Sequence, residues 1–236
     1  QAAEEYTAPC PDPPEQPQTD KLQILNKLEK GASGLLVLGS PKKKSVKDSS
    51  QKIKFSYLAL VTGALLNESG TIEKHLTQNR RDYRKMNVTE KRGKYAATSW
   101  KLIADFGIIS LLLAKPLTAS PHQVRVHLRH AGLPLLIDPL YGSSRGLFLS
   151  EHKAGYRRSG NKPEKPLIDR LTLHAYQTHI PGQLTGGTEP ALFTAPLDKR
   201  FAAAVKMLTK HCGGGPEKCF RDPDNYKRIL QAKPLN

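Results

Sequence analysis

Apolar and polar residues alternate from Lys54 to Val61, with Phe55, Tyr57, Ala59 and Val61 on one side, which predicts a strand. Leu35-Leu36-Val37-Leu38 is a compact apolar run and predicts a buried strand. Residues 98–105 and 108–115 read as two strands joined at Phe106-Gly107, and Leu171 to Ile180 returns to strand-like alternation. One helix is clearly marked. Ser120 is its predicted N-cap, Pro121 its first helical position and Gly132 its terminator. Inside it Val124, Leu128 and Ala131 form an apolar stripe, and His122, Arg125 and Arg129 recur on another face. Asp198 is placed to cap a last helix that carries Phe201, Val205 and Leu208. Residues 143–168, rich in Ser, Gly, Arg, Lys and Pro, predict a long basic surface loop.

Composition changes this picture at the two ends. Residues 1–20 hold five acids, five prolines and no Lys or Arg, which predicts an extended acidic tail. From His211 the chain turns Gly-rich and then polar, which predicts a peripheral tail over 211–236 and leaves a single domain over 21–210. The chain begins at Gln1 rather than Met, so the expectation is that a preceding segment is missing; a removed organellar leader is compatible with this. No run approaches the ~20 apolar residues that span a bilayer, and no membrane role is expected.

Charge narrows the class of partner. The 236 residues contain 37 Lys and Arg against 21 Asp and Glu, a net charge of +16. Such a surplus calls for a polyanion, and nucleic acid leads. The basic residues cluster at Lys42-Lys43-Lys44 with Lys47, at Arg80-Arg81 with Arg84-Lys85, at Lys91-Arg92 with Lys94, and at Arg157-Arg158. Any one cluster reads as a solvated face, but four of them, accompanied by Tyr83, Tyr95 and Tyr156, predict a surface for structured RNA. Three cysteines cannot build a disulfide framework, which favours a reducing compartment. His211, Cys212 and Cys219 lack the paired spacing of a structural zinc site, and no metal is expected.

The most specific stretch runs from Thr118 to Gly142: Thr-Ala-Ser-Pro-His-Gln-Val-Arg-Val-His-Leu-Arg-His-Ala-Gly-Leu-Pro-Leu-Leu-Ile-Asp-Pro-Leu-Tyr-Gly. A helix presents Arg125 beside His122 and Gln123, turns at Gly132, and is followed by a buried run and an Asp-Pro-Leu-Tyr-Gly turn. This stretch resembles the third motif of the RluA-like pseudouridine synthases, Gly-Arg-x-His-Gln-Ile/Val-Arg-Val-His-Leu followed by Gly-x-Pro-Leu-x-x-Asp-x-x-Tyr-Gly. Lys54-Phe-Ser-Tyr-Leu-Ala-Leu-Val-Thr-Gly63, Gly70-Thr-Ile-Glu, Arg81-Asp-Tyr-Arg-Lys-Met86, Arg170-Leu-Thr-Leu-His-Ala175 and Phe193-Thr-Ala-Pro-Leu197 extend the likeness over roughly residues 24–208. The resemblance implies an α+β pseudouridine synthase catalytic-domain fold, with a mixed, largely antiparallel sheet, flanking helices and a central cleft.

The family's catalytic motif, His-Arg-Leu-Asp-x-x-Thr-Ser-Gly-Leu-Leu, aligns with Asn26-Lys-Leu-Glu-Lys-Gly-Ala-Ser-Gly-Leu-Leu36. Glu29 stands at the catalytic Asp position; Asn26 and Lys27 replace His-Arg, Ala32 replaces Thr, and Ala119-Ser120 replace Gly-Arg of the third motif. Family chemistry flips a uridine into a pocket. A carboxylate attacks the sugar or takes a sugar proton, the C–N bond breaks, and the base rotates and rejoins through carbon. The resemblance gives Tyr57 the role of packing on the flipped base and Arg125 that of pairing with the carboxylate. It implies no cofactor. Lys27, Arg80, Arg81, Arg84, Lys85, His122, Gln123 and Arg129 are the candidate RNA-binding residues. A carboxylate displaced by about 1 Å loses on the order of 10²-fold in rate. The expectation is therefore a protein that still binds large-subunit rRNA in ribosome assembly, beside ribosomal or assembly-factor neighbours and with reduced or lost catalysis. An active rRNA pseudouridine synthase is the alternative. If the host is an organelle, a mitochondrial ribosome is the expected site.

Overall fold

The computed structural model describes residues 23–26, 28–39, 53–157, 163–212 and 214–235. The predicted acidic tail, Lys27, the cluster at Lys42 to Lys47, and Arg158 lie outside the described residues.

Ten strands are described: β1 (Gln23–Ile24), β2 (Ser33–Gly34), β3 (Leu38–Gly39), β4 (Lys54–Thr62), β5 (Ser69–Gln78), β6 (Met86–Thr89), β7 (Lys94–Asp105), β8 (Ile109–Pro116), β9 (Leu173–Ile180) and β10 (Ala191–Thr194). The helices are α1 (Gln123–His130), α2 (Gly182–Thr185), α3 (Lys199–His211), α4 (Gly215–Cys219) and α5 (Asp224–Leu230), with a 3₁₀ turn at Leu149–Glu151. β1 and β3 form a small antiparallel pair. The other eight strands make one sheet in the order β10-β9-β4-β8-β7-β5-β6, all antiparallel, with β2 joining β9 in parallel. This is the mixed, largely antiparallel α+β architecture that the resemblance implied.

The middle strands are apolar on both faces, because both faces are covered. On one face Leu58 and Leu60 of β4 and Leu111 and Leu113 of β8 pack with Phe201, Val205 and Leu208 of α3. On the other, Ala59, Val61, Leu112 and Ala114 pack with Val124 and Leu128 of α1. Tyr57 lies against this second cluster, so it does share a face with Ala59 and Val61. A third cluster of Leu76, Ala96, Val126 and Tyr141 joins α1 to β5 and β7.

Three expectations need correction, and one hairpin is an addition. Leu35 to Leu38 is no buried strand: Leu36 and Leu38 are about half exposed, and the only strands here are two residues long, β2 before the run and β3 starting at Leu38. The β5–β6 hairpin was not anticipated, because residues 69–78 are mostly polar and bury only Ile72 and Leu76. The marked helix begins at Gln123 rather than just after Ser120. The Gln123 side chain explains this. It donates to Ala97 O at 2.8 Å and Thr98 Oγ1 at 2.9 Å and accepts from Thr118 Oγ1 at 2.9 Å, which fixes the helix start against β7. The C-terminal segment is not a peripheral tail, since Phe220, Ile229 and Leu235 are buried in the same cluster as α3. Tyr176 of β9 donates to the carbonyls of Arg228, at 3.2 Å, and Lys233, at 2.6 Å, and a Cys212–Cys219 disulfide ties α3 to α4. That pairing leaves neither sulfur available as a zinc thiolate.

Candidate active site

The loop that carries Glu29 is fastened on both sides. Upstream, Asn26 donates from its amide to Leu35 O at 3.2 Å and accepts the Val37 N–H at 2.5 Å, so its side chain closes the loop on itself. Downstream, β2 pairs with His174 and Ala175 of β9. Gly34 has φ +107°, and a Cβ there would stand 2.1 Å from the Ala175 carbonyl oxygen, so only glycine fits. Ser33 adds a side-chain tie. Its hydroxyl lies 2.8 Å from His174 Nδ1 and 3.2 Å from Asp198 Oδ2. Asp198 in turn caps α3 through the Arg200 and Phe201 amides, as the sequence predicted, and pairs with Arg170. The Ser33 hydroxyl donates to Asp198, and burial lowers the pKa of His174 beside it.

Between these anchors Glu29 extends to Arg125, with Oε2 2.5 Å from Nη1. Arg125 rises from α1 and is 5% exposed. Asp138 holds its opposite side, Oδ2 to Nε at 2.9 Å and Oδ1 to Nη2 at 2.5 Å. Asp138 Oδ1 also accepts the Leu140 and Tyr141 amides, each at 3.0 Å. Burial raises the Asp138 pKa, but the Arg125 hydrogen bonds and charge and those two amides outweigh it and leave it below the ordinary carboxylate value. Burial likewise opposes the Arg125 charge, and the two carboxylates overcome it and hold the group above its ordinary value. The guanidinium is therefore a fixed cation between two anions.

Tyr57 sits on β4 beside a β-bulge and between Ala114 and Ala175. Burial, and then the Glu29 charge, push its pKa up to about 12, so it stays a neutral phenol within electrostatic reach of that carboxylate. The residues expected to carry chemistry, Glu29, Tyr57 and Arg125, are thus brought together. His122 caps α1 in a left-handed conformation, φ 52°. Its Nε2 is 4.0 Å from Glu29 Oε2, and its Nδ1 is 2.8 Å from the Tyr141 hydroxyl.

The candidate RNA contacts divide. Arg80, Arg81 and Arg84 are exposed on the β5–β6 turn, and Lys85 is half-buried beside them. Asp82 pairs with Arg84 at 2.9 Å and lies 3.8 Å from Lys85, so part of this charge is already neutralised. Tyr83 and Tyr95 are exposed, and Arg129 is exposed near the far end of α1. Gln123 is a correction: it is 3% exposed and its amide is taken up by β7 and Thr118, so it shapes the helix start instead of offering a group to RNA. Ser120, which replaces the family's arginine, has a buried hydroxyl with no hydrogen-bond partner among the described residues. Sequence reasoning gave no role to Asp138 or Tyr141. The Asp138-Pro-Leu-Tyr-Gly142 turn was visible, but its return onto Arg125 was not. Among the described residues no group of three or more His, Cys, Asp or Glu is placed to hold a metal ion.

Comparisons with known proteins give the chain its family. The ribosomal large subunit pseudouridine synthase D of Borreliella burgdorferi is 33% identical over 128 residues, 52% of this chain and 39% of that protein. The ribosomal large subunit pseudouridine synthase D of Neisseria meningitidis serogroup B is 29% identical over 204 residues, covering 85% of this chain and 52% of that protein. The chain therefore spans about half the length, or less, of these relatives. Among solved structures, human RNA pseudouridylate synthase domain containing 1 superposes with a TM-score of 0.57 at 22% identity, over 91% of this chain and 82% of that one, a likeness of fold. The RNA pseudouridylate synthase family model matches residues 3–130, more than half of the 236. The chain belongs to the RNA pseudouridylate synthase family.

Proposed function

We propose that the chain holds structured large-subunit rRNA in a pseudouridine synthase cleft during ribosome assembly, with isomerisation reduced or lost. The carrying observation is the pairing of Glu29 with Arg125 across 2.5 Å by a side chain one methylene longer than aspartate. The ion pair survives, but the acid approaches it from a different length of arm. The surroundings support the reading. Asn26, where the family pattern has histidine, uses its amide on the loop's own backbone, and Ser120 offers no cation where the pattern has arginine. Meanwhile Arg80, Arg81, Arg84, Lys85 and Arg129 remain as a basic surface, with Tyr83 and Tyr95 available for stacking on unpaired bases.

A second reading, an active rRNA pseudouridine synthase, is favoured by the same intact pair. In that chemistry Glu29 meets the sugar of a flipped uridine, Arg125 pairs with the acid, and neutral Tyr57 packs on the base. Reverse-transcription mapping of pseudouridine in cells depleted of the protein separates the two. Loss of one defined pseudouridine in large-subunit rRNA supports the active enzyme; an unchanged map together with failed subunit assembly supports the holding role. The proposal extends to a mitochondrial ribosome as host, on the basic charge and the drift from the bacterial-type motif. Fractionation of the tagged protein tests that part.

A further inference from the structure

The Tyr141 hydroxyl stands at a junction. It accepts the Met86 N–H at 2.7 Å, and Met86 is the first residue of β6, directly after the basic turn at 79–85. The same hydroxyl is hydrogen-bonded to His122 Nδ1 at 2.8 Å. The other ring nitrogen, Nε2, faces Glu29 Oε2 at 4.0 Å. The Tyr141 ring lies under the Arg125 guanidinium, 4.8 Å from centroid to Cζ, and meets the His122 ring edge-on at 5.6 Å.

A second observation points to the same place. His122 holds φ 52°, a left-handed conformation that is costly for a residue other than glycine and persists where its surroundings over-determine it. Tyr141 supplies that constraint, by a hydrogen bond and a ring contact. Its own backbone is fixed by Asp138, which accepts the Tyr141 amide, and by burial against Leu76, Ala96 and Val126.

We infer that Tyr141 is a positioning residue that joins the root of the basic β5–β6 turn to the Glu29 site, through Met86 on one side and His122 and Arg125 on the other. RNA seated on the turn and a nucleotide seated at Glu29 are then registered against each other by one phenol. Only the RNA part of this inference rests on the rRNA-holding reading.

Tyr141→Phe removes the hydroxyl and keeps the ring under Arg125. Hydrogen exchange on the full chain without RNA is the first arm. The Met86 amide exchanges about tenfold faster in the variant, while the amides of Leu111 to Leu113 change less than about twofold. Equal Met86 exchange in the two proteins overturns the inference, and so does uniform acceleration throughout the sheet, which marks general loosening. Should the variant fail to fold, the wild type decides: a Met86 amide that exchanges like an open edge amide overturns the inference, and a protected one supports it. The second arm measures binding of an in vitro transcript of large-subunit rRNA. Tyr141→Phe weakens it about fivefold, and the loss combined with Arg81→Ala is smaller than the product of the two single losses. A simple product overturns the coupling. A wild-type protein that ignores the transcript defeats the rRNA reading instead, and leaves the exchange arm to decide on Tyr141.

Discussion

Asp138 grips Arg125 from behind, through Nε and Nη2, and so leaves Nη1 as the nitrogen that meets Glu29. The order of these contacts matters. Asp138 belongs to a turn whose amides hold it in place, whereas Glu29 reaches in on a loop. The cation is set by the fold first and offered to Glu29 second. Removing Asp138 therefore strands a buried guanidinium. Asp138→Ala is expected to destabilise the protein by about 3–5 kcal/mol, measured as a fall in the urea midpoint at pH 7. A loss below about 1 kcal/mol would show that Arg125 does not depend on Asp138.

Glu29→Asp shortens the arm to the length in the family motif. Incubated with a large-subunit rRNA transcript, the variant is expected to form pseudouridine about tenfold to a hundredfold faster than the wild type. Equal rates for both proteins would place the defect in the altered residues around the acid rather than in its length.

The fold has a pH signature of its own. Burial, and then the charge of His130, lower the His127 pKa to about 4, and burial lowers that of His174 in the same direction. A histidine whose folded value lies below its unfolded value of about 6.5 contributes fully above that value and loses its contribution as the pH falls towards the folded one. Stability is expected to drop between about pH 6.5 and pH 4, by on the order of 3 kcal/mol from His127 alone. His127→Gln should flatten that part of a denaturation series at pH 7, 6, 5 and 4, and an unaltered slope would remove His127 from the account.

Exposed cations on the turn predict unequal effects on RNA. Arg80→Ala and Arg81→Ala should each weaken binding at all sequences alike and reduce the log–log salt slope by about 1. Arg84 is already paired with Asp82, so Arg84→Ala should change the slope less. Equal slopes for the three variants would mean that the Asp82 pair opens on binding.

The Cys212–Cys219 disulfide closes a short loop onto the core. Chain entropy gives such a bridge about 2–3 kcal/mol. Dithiothreitol is expected to lower Tm by several degrees, and Cys212→Ser should make Tm insensitive to it.

Much of this site was legible in one stretch of sequence. Residues 118–142 named the helix, Arg125 and the Asp-Pro-Leu-Tyr-Gly turn, because short-range spacing fixes a helix face and a turn. What the stretch did not disclose was long-range. Gln123 looked like a free amide beside two basic residues and is instead absorbed by β7. Leu35 to Leu38 looked like core because apolar runs usually are, yet Asn26 holds the backbone there with Leu36 and Leu38 facing outward. The segment after His211 looked peripheral because its apolar residues are sparse. Phe220, Ile229 and Leu235 are nonetheless enough to seat two short helices on a sheet that supplies the remaining surface.

The contact at Gly34 has a consequence for how this protein could change over time. With Asn26 closing one end and Gly34 wedged against Ala175 at the other, the segment between is a short span on fixed abutments. Fixed ends leave such a span little slack for a longer acid. The extra carbon has to be taken up in the torsions of residue 29 itself, so any route back to an aspartate-like reach runs through that one codon.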